Sequence, residues 1–156
     1  MTTTKGIQFQ PIDYVIVGSG VLFIVLSWVY AGIEYSSLPD TIATHFNHKG
    51  EADGYGNKSM LWLVCGIFTA LTIGIFFLAK ATHLHNVQLK TRLANFRSVA
   101  ILMPLIGIIQ GIAVITIIES SQGNFEYSSW ILPSILILTA IYLVFMIIFI
   151  AKNKKS

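Results

Sequence analysis

The chain has 156 residues, of which 54% are apolar and only 11% charged, whereas soluble domains carry about 25% charged residues. That deficit, with the apolar residues bunched into long runs, excludes a small water-soluble globule and makes lipid part of the solvent. The net charge of +3 lies beside the hydrophobic runs, so nucleic acid is not implied, and the single cysteine, Cys65, cannot form an intrachain disulfide.

The first uncharged run extends from Tyr14 to Ile33. A helix rising about 1.5 Å per residue needs about 20 residues to cross a hydrocarbon core of about 30 Å, so the run predicts one crossing. In hydrocarbon every backbone amide needs an internal partner, which makes the crossing helical. Ser27 and Ala31 place two small residues four apart near its end. A rival reading has a signal peptidase cutting at Val29-Tyr30-Ala31. Against it, Lys5 is the sole basic residue upstream, and Asp13 abuts the run.

The loop that follows, Glu34 to Ser59, is polar and longer than the short connector a helical bundle needs. Thr41 to Phe46 reads as a strand, with Ile42, Thr44 and Phe46 facing one way and Ala43, His45 and Asn47 the other. Asn47-His48-Lys49-Gly50 reads as a turn in which Gly50 takes a positive φ. Asp53-Gly54 is a second turn signal. Asn57 or Ser59 is placed to cap the next helix. The loop is therefore expected to be a small ordered lid. Asp40, His45, His48, Glu51 and Asp53 supply ligand types that suit zinc. Their spacing is not diagnostic, and the plainer reading has His45 and Asn47 bonding to loop backbone. Asp40, His45, His48 and Asp53 stand as the metal candidates.

A second span is expected from Met60 to Ala79, with Gly66, Ala70 and Gly74 four apart on one face. The segment 80–98 is basic, carrying Lys80, Lys90, Arg92 and Arg97 with His83 and His85. It reads as a surface loop attracted to anionic lipid or to a cytoplasmic partner. A third span is expected from Val99 to Ile118. Pro104 should kink it, Gly107 and Gly111 form a GxxxG pair for helix packing, and the Gln110 amide is expected to link helices by hydrogen bonds. Homodimerisation is the alternative use of the small-residue faces. The fourth span is expected from Trp130 to Ala151, followed by a basic tail, 152–156.

Lys5, the four basic residues of 80–98, and Lys152, Lys154 and Lys155 make eight of the ten lysines and arginines. Only Lys49 and Lys58 lie in the other two loops. The positive-inside rule then places both termini and 80–98 in the cytoplasm. Six of the seven acidic residues, Glu34, Asp40, Glu51, Asp53, Glu119 and Glu126, fall on the outer side, and Asp13 alone falls inside. Tyr14, Trp28, Tyr30, Trp62 and Trp130 lie near span ends as an aromatic belt. The expected fold is all-α: a four-helix transmembrane bundle with an ordered extracytoplasmic loop between helices 1 and 2. It divides into a two-span unit, 1–79, with outer loop 34–59; the basic loop 80–98; a second two-span hairpin, 99–151; and the tail.

No Asp, Glu, Lys, Arg or His lies mid-span, which argues against a self-contained ion-coupled pump. Gly-x-Ser-x-Gly, His-Glu-x-x-His and a phosphate-cradling glycine loop after a strand are missing from the sequence. The chain is expected not to be an enzyme and to need no cofactor, zinc being the one candidate.

Leu38-Pro39-Asp40, Ile42, His45-Phe46-Asn47, Gly50, Asp53-Gly54 and Lys58 resemble the hallmark of a bacterial membrane domain, domain of unknown function 1648, found at the N-terminal end of SdpI-like proteins. The likeness covers residues 13–79. Ala43 stands where the family often has proline, and Asn57 where serine is frequent. The resemblance implies that Leu38, Pro39, Asp40, His45, Phe46, Asn47, Gly50, Asp53, Gly54 and Lys58 structure the loop or bind a partner. It further implies a plasma- or inner-membrane protein that protects against, or senses, a membrane-active peptide. Expected partners are lipid, a toxin peptide on the outer face and a cytoplasmic regulator at the basic loop. A small transport component, with Gln110 and the glycine faces lining a path, and a metal-binding membrane protein using the outer loop, as a metal-dependent enzyme centred on Asp40, His45 and Asp53, are the alternatives.

Overall fold

A computed structural model describes residues 7–81, 89–124 and 130–154. The elements in chain order are α1 (Pro11–Glu34), β1 (Thr41–Phe46), β2 (Ala52–Asn57), α2 (Met60–Lys80), α3 (Arg92–Ala100), α4 (Leu102–Ser121) and α5 (Ile131–Asn153). Four helical segments are long and apolar enough to cross a bilayer: Pro11–Glu34, Met60–Lys80, Arg92–Ser121 and Pro133–Asn153. The chain is a membrane protein with a two-stranded sheet in its first loop.

The α1 helix starts where Pro11 needs no N–H partner. One turn in, Asp13 accepts a hydrogen bond from the Gln10 N–H at 2.7 Å. Three hydroxyls within the first two spans bond back to their own helices: Ser27 to the Phe23 carbonyl, Thr69 to Cys65 and Thr72 to Phe68. Each is thereby satisfied where no water competes.

The third span departs from its expected bounds. Arg92–Ser121 runs 30 residues, about 45 Å of helix, interrupted only at Ile101 between α3 and α4. Pro104 explains the break, because its ring excludes the carbonyl four residues back, Ala100, and it donates no hydrogen bond there. Residues 92–98, read as surface loop, are instead the start of this helix.

The bundle centres on α4, which packs most extensively against α1 and next against α2. Ala31, Leu38, Ile42, Leu61, Cys65, Val114, Ile117 and Ile118 form a core at the hairpin end. A smaller cluster, Ala79, Phe96 and Ala100, closes the opposite end. No residue of α5 with a described side chain is buried. Its C-terminal end is tied to the segment before α3 by the Lys90 N–H, which donates to the Asn153 carbonyl at 2.8 Å.

Helix contacts use some of the expected small residues and not others. A Cβ on Gly107 would lie 2.7 Å from the Phe23 Cβ, and one on Gly20 would lie 2.7 Å from the Met103 Cβ. Backbone approach at α1–α4 therefore depends on both glycines, and Gly20 escaped the sequence reading. Gly111 is looser, with Ser27 Oγ at 3.5 Å. Ala31 is fully buried and Ser27 nearly so. By contrast, Gly66 and Gly74 meet nothing within 4 Å, and Ala70 and Gly74 are exposed. Among the described residues, the Gly66–Ala70–Gly74 face makes no close helix contact of the kind seen at Gly107.

The expected role of Gln110 as a hydrogen-bonded link is corrected as well. Its side chain is fully buried, and neither Nε2 nor Oε1 has a hydrogen-bond partner among the described residues. It lies alongside the Cys65 thiol outside hydrogen-bond geometry. The helix face that carries Gln110 is held by its apolar neighbours, and the amide is carried inward with them.

Candidate functional site

The β1 strand occupies the predicted residues, and β2 pairs with it antiparallel, Thr41 opposite Asn57 and Ile42 opposite Gly56. Asp53-Gly54 is therefore strand and not a second turn. The alternation along β1 also departs from expectation, because the register shifts between Ala43 and His45 and again at Phe46. Such an irregularity re-aims side chains. Ile42 and Ala43 are both buried, while His45 is exposed. The Ala43 N–H donates to Ser121 Oγ at 3.0 Å, which fastens β1 to the end of α4. A proline at this position would have no N–H to give.

The turn is held by Asn47. Its Oδ1 accepts from the Lys49 and Glu51 N–H groups at 2.8 and 3.1 Å, and its Nδ2 donates to Glu51 Oε2 at 2.8 Å. Gly50 has φ of 81°, a conformation that glycine adopts without a Cβ clash. At the open end, the Lys58 N–H donates to the Asp40 carbonyl at 3.0 Å, and Lys58 Nζ lies 3.1 Å from Asp40 Oδ1. The same ammonium sits 5.6 Å from the centre of the Tyr35 ring. Tyr35 contacts Trp62, and Trp62 stacks on Trp28 at 5.5 Å. Trp28 Nε1 donates to Thr69 Oγ1 at 2.9 Å, joining α1 to α2. Asn57 Oδ1 accepts from the Ser59 N–H, whereas the Ser59 hydroxyl makes no cap bond.

Leu38 is buried in the core and Pro39 is exposed beside it. Phe46 is half-buried against the same core. A Cβ on Gly54 would lie 2.8 Å from the His45 Cβ across the strands. His45 Nδ1 lies 2.5 Å from Asp53 Oδ1, with side chains 74% and 45% exposed. Of the four metal candidates the fold brings His45 and Asp53 together, and Asp40 is drawn to Lys58. No group of three His, Cys, Asp or Glu side chains converges to hold a metal among the described residues. Lys5, His83, His85, Glu126 and Lys155 lie outside the described residues.

A second polar centre lies at the opposite end of the bundle, and the sequence reading missed it. Arg97 Nε donates to Asp13 Oδ1 at 2.6 Å, and its Nη2 donates to Asp13 Oδ2 at 3.2 Å and to Gln10 Oε1 at 2.7 Å. Asp13 is 1% exposed. The lone acidic residue among basic segments was the available signal.

Residues 22–69 match the family described as Domain of unknown function (DUF1648). The matched stretch runs from within α1 through the whole hairpin into α2. A protein of Archaeoglobus fulgidus, described as uncharacterized, is similar at 33% identity over 60 residues. That alignment covers 38% of this chain and 33% of the relative, so the chain spans about a third of the length of the curated relative it matches. No solved structure matches the chain.

Proposed function

We propose that this chain is an SdpI-like protein of the cell membrane, with both termini cytoplasmic. It protects the cell from a membrane-active peptide, or relays the peptide's presence, through the β1–β2 hairpin. The observation that carries this reading is a division of labour within the hairpin. Leu38, Asn47, Gly50, Gly54 and Lys58 hold its shape, while His45, Asp53 and Tyr55 are displayed on it. Leu38 is buried, and Tyr55 is 63% exposed. A rigid, braced element with polar and aromatic side chains turned outward suits recognition, because few rotamers remain to be ordered on binding. The seat on α4 puts it at the end of the spans, where a peptide partitioning into lipid arrives. In this reading the chain binds and does not catalyse, and it needs no cofactor. A cytoplasmic regulator at the basic segment belongs to the relay version.

The test is survival of a peptide-sensitive cell that expresses the chain. The unaltered protein should protect. His45→Ala should lose most of that protection, since truncating a central contact residue costs about 2 kcal/mol or more, while Asp40→Ala should lose less. Unchanged sensitivity across several membrane-active peptides, with the protein present in the membrane, removes the reading.

A further inference from the structure

An apolar groove of about 570 Å³ runs between α1 and α4 on the lipid side, with Phe23, Ser27 and Ile33 among its α1 residues and Gly107, Gly111 and Ile115 among those of α4. The α1 lining from Phe23 to Ile33 spans roughly 15 Å. The Ser27 hydroxyl is bonded to the Phe23 carbonyl, so the floor offers no free polar group. At the hairpin end Tyr30, itself a lining residue, donates to Glu119 Oε1 at 3.2 Å. Glu119 Oε2 also accepts from Asn124 Nδ2 at 2.9 Å. Glu34, one turn beyond Tyr30, accepts from Gln122 Nε2 at 3.3 Å. The hydrogen-bond donors to both carboxylates among the described residues, Tyr30, Ser37, Gln122 and Asn124, are neutral, and neither carboxylate forms a salt bridge among those residues. Two like charges thus sit, uncompensated, at the mouth of an apolar trough.

We propose that this groove seats an apolar helical peptide with its basic residues beside Glu34 and Glu119. The floor at Gly107, Gly111 and Ser27 is shallow in side chains, so a helix can approach closely. A lysine or arginine near the end of such a helix extends its charge to the boundary, where the two carboxylates receive it. Charge selects peptide over anionic phospholipid, because a headgroup with net negative charge would meet the same carboxylates with repulsion. The inference rests on the peptide-protection reading and adds the place and the charge of the bound partner.

The experiment uses the full chain in nanodiscs. The probe is a fluorescent twenty-residue leucine–alanine helix with two lysines at one end, compared with its twin in which glutamines replace the lysines. The lysine peptide should bind at least tenfold more tightly, and Glu34→Gln with Glu119→Gln should erase that preference. Gly111→Leu should weaken both peptides. Ile115→Trp, on the exposed rim, repeats the block without touching the α1–α4 contact. Equal binding of the two peptides, indifference to the acidic variants or undiminished binding in both blocked variants overturns the groove. Survival of sensitive cells is scored in parallel. Protection that persists in Ile115→Trp after binding is lost overturns the groove as the protective site and leaves the protection reading standing. Binding as described, in a chain that never protects, overturns protection and leaves the groove.

Discussion

Among the described ion pairs, Asp13 with Arg97 is the one with a fully enclosed partner. The guanidinium forks onto both carboxylate oxygens and also reaches Gln10. Removing one member of such a pair strands the other where desolvation is not offset. Asp13→Asn and Arg97→Ala should each lower the stability of the purified protein by about 3 kcal/mol, the low end of the range for broken buried pairs, because the Arg97 side chain keeps 24% of its surface. Arg97→Lys should fall between, since an ammonium cannot reproduce the fork. Denaturation in detergent measures all three, and variants within error of the unaltered chain would contradict the account. The exposed His45–Asp53 pair is the contrast: alanine at either position should change stability by less than about 1 kcal/mol, so any larger loss of protection there reports recognition and not folding.

At the scale of elements, the spans were legible and their contact faces were not. Lipid solvates every outward side chain, so both the packed and the exposed faces of α1, α2 and α4 are apolar, and periodicity cannot mark the contact. Small-residue spacing was the remaining guide. It located Gly107, passed over Gly20 and pointed to a face of α2 where Gly66 and Gly74 meet open space among the described residues. The hairpin divided the same way. Thr41 to Phe46 carries β-branched and aromatic residues and was readable, whereas β2, Ala52–Asn57, has two glycines and an aspartate and little intrinsic preference for strand. Pairing with β1 and the Asp40–Lys58 closure make it a strand. The glycine geometry has a direct test. Gly20→Ala and Gly107→Ala should each destabilise the bundle by about 1–3 kcal/mol, the usual cost of overpacking. Gly74→Ala, which meets open space, should be neutral or slightly stabilising. Equal effects at Gly107 and Gly74 would show that α1 and α4 do not meet where described.

For the whole molecule, the unequal ends make a prediction about orientation. The hairpin end holds Lys49 and Lys58, while Lys80, Lys90, Arg92, Arg97, Lys152 and Lys154 lie toward the other. Arg97 is neutralised by Asp13, but the positive-inside bias follows lysine and arginine number more than net charge, and the other five suffice. The length of Arg92–Ser121, about 45 Å against a core of about 30 Å, carries α3 toward the edge of the hydrocarbon, within reach of lipid headgroups. Cys65 is fully buried in α2, so it leaves a quiet background for thiol labelling. In intact cells a membrane-impermeant maleimide should modify Lys49→Cys, on the exposed turn, and spare Lys90→Cys until the membrane is opened. The reverse pattern would put the hairpin in the cytoplasm, where a peptide arriving from outside could not meet it first, and the recognition proposed for His45, Asp53 and the Glu34–Glu119 mouth would lose its access.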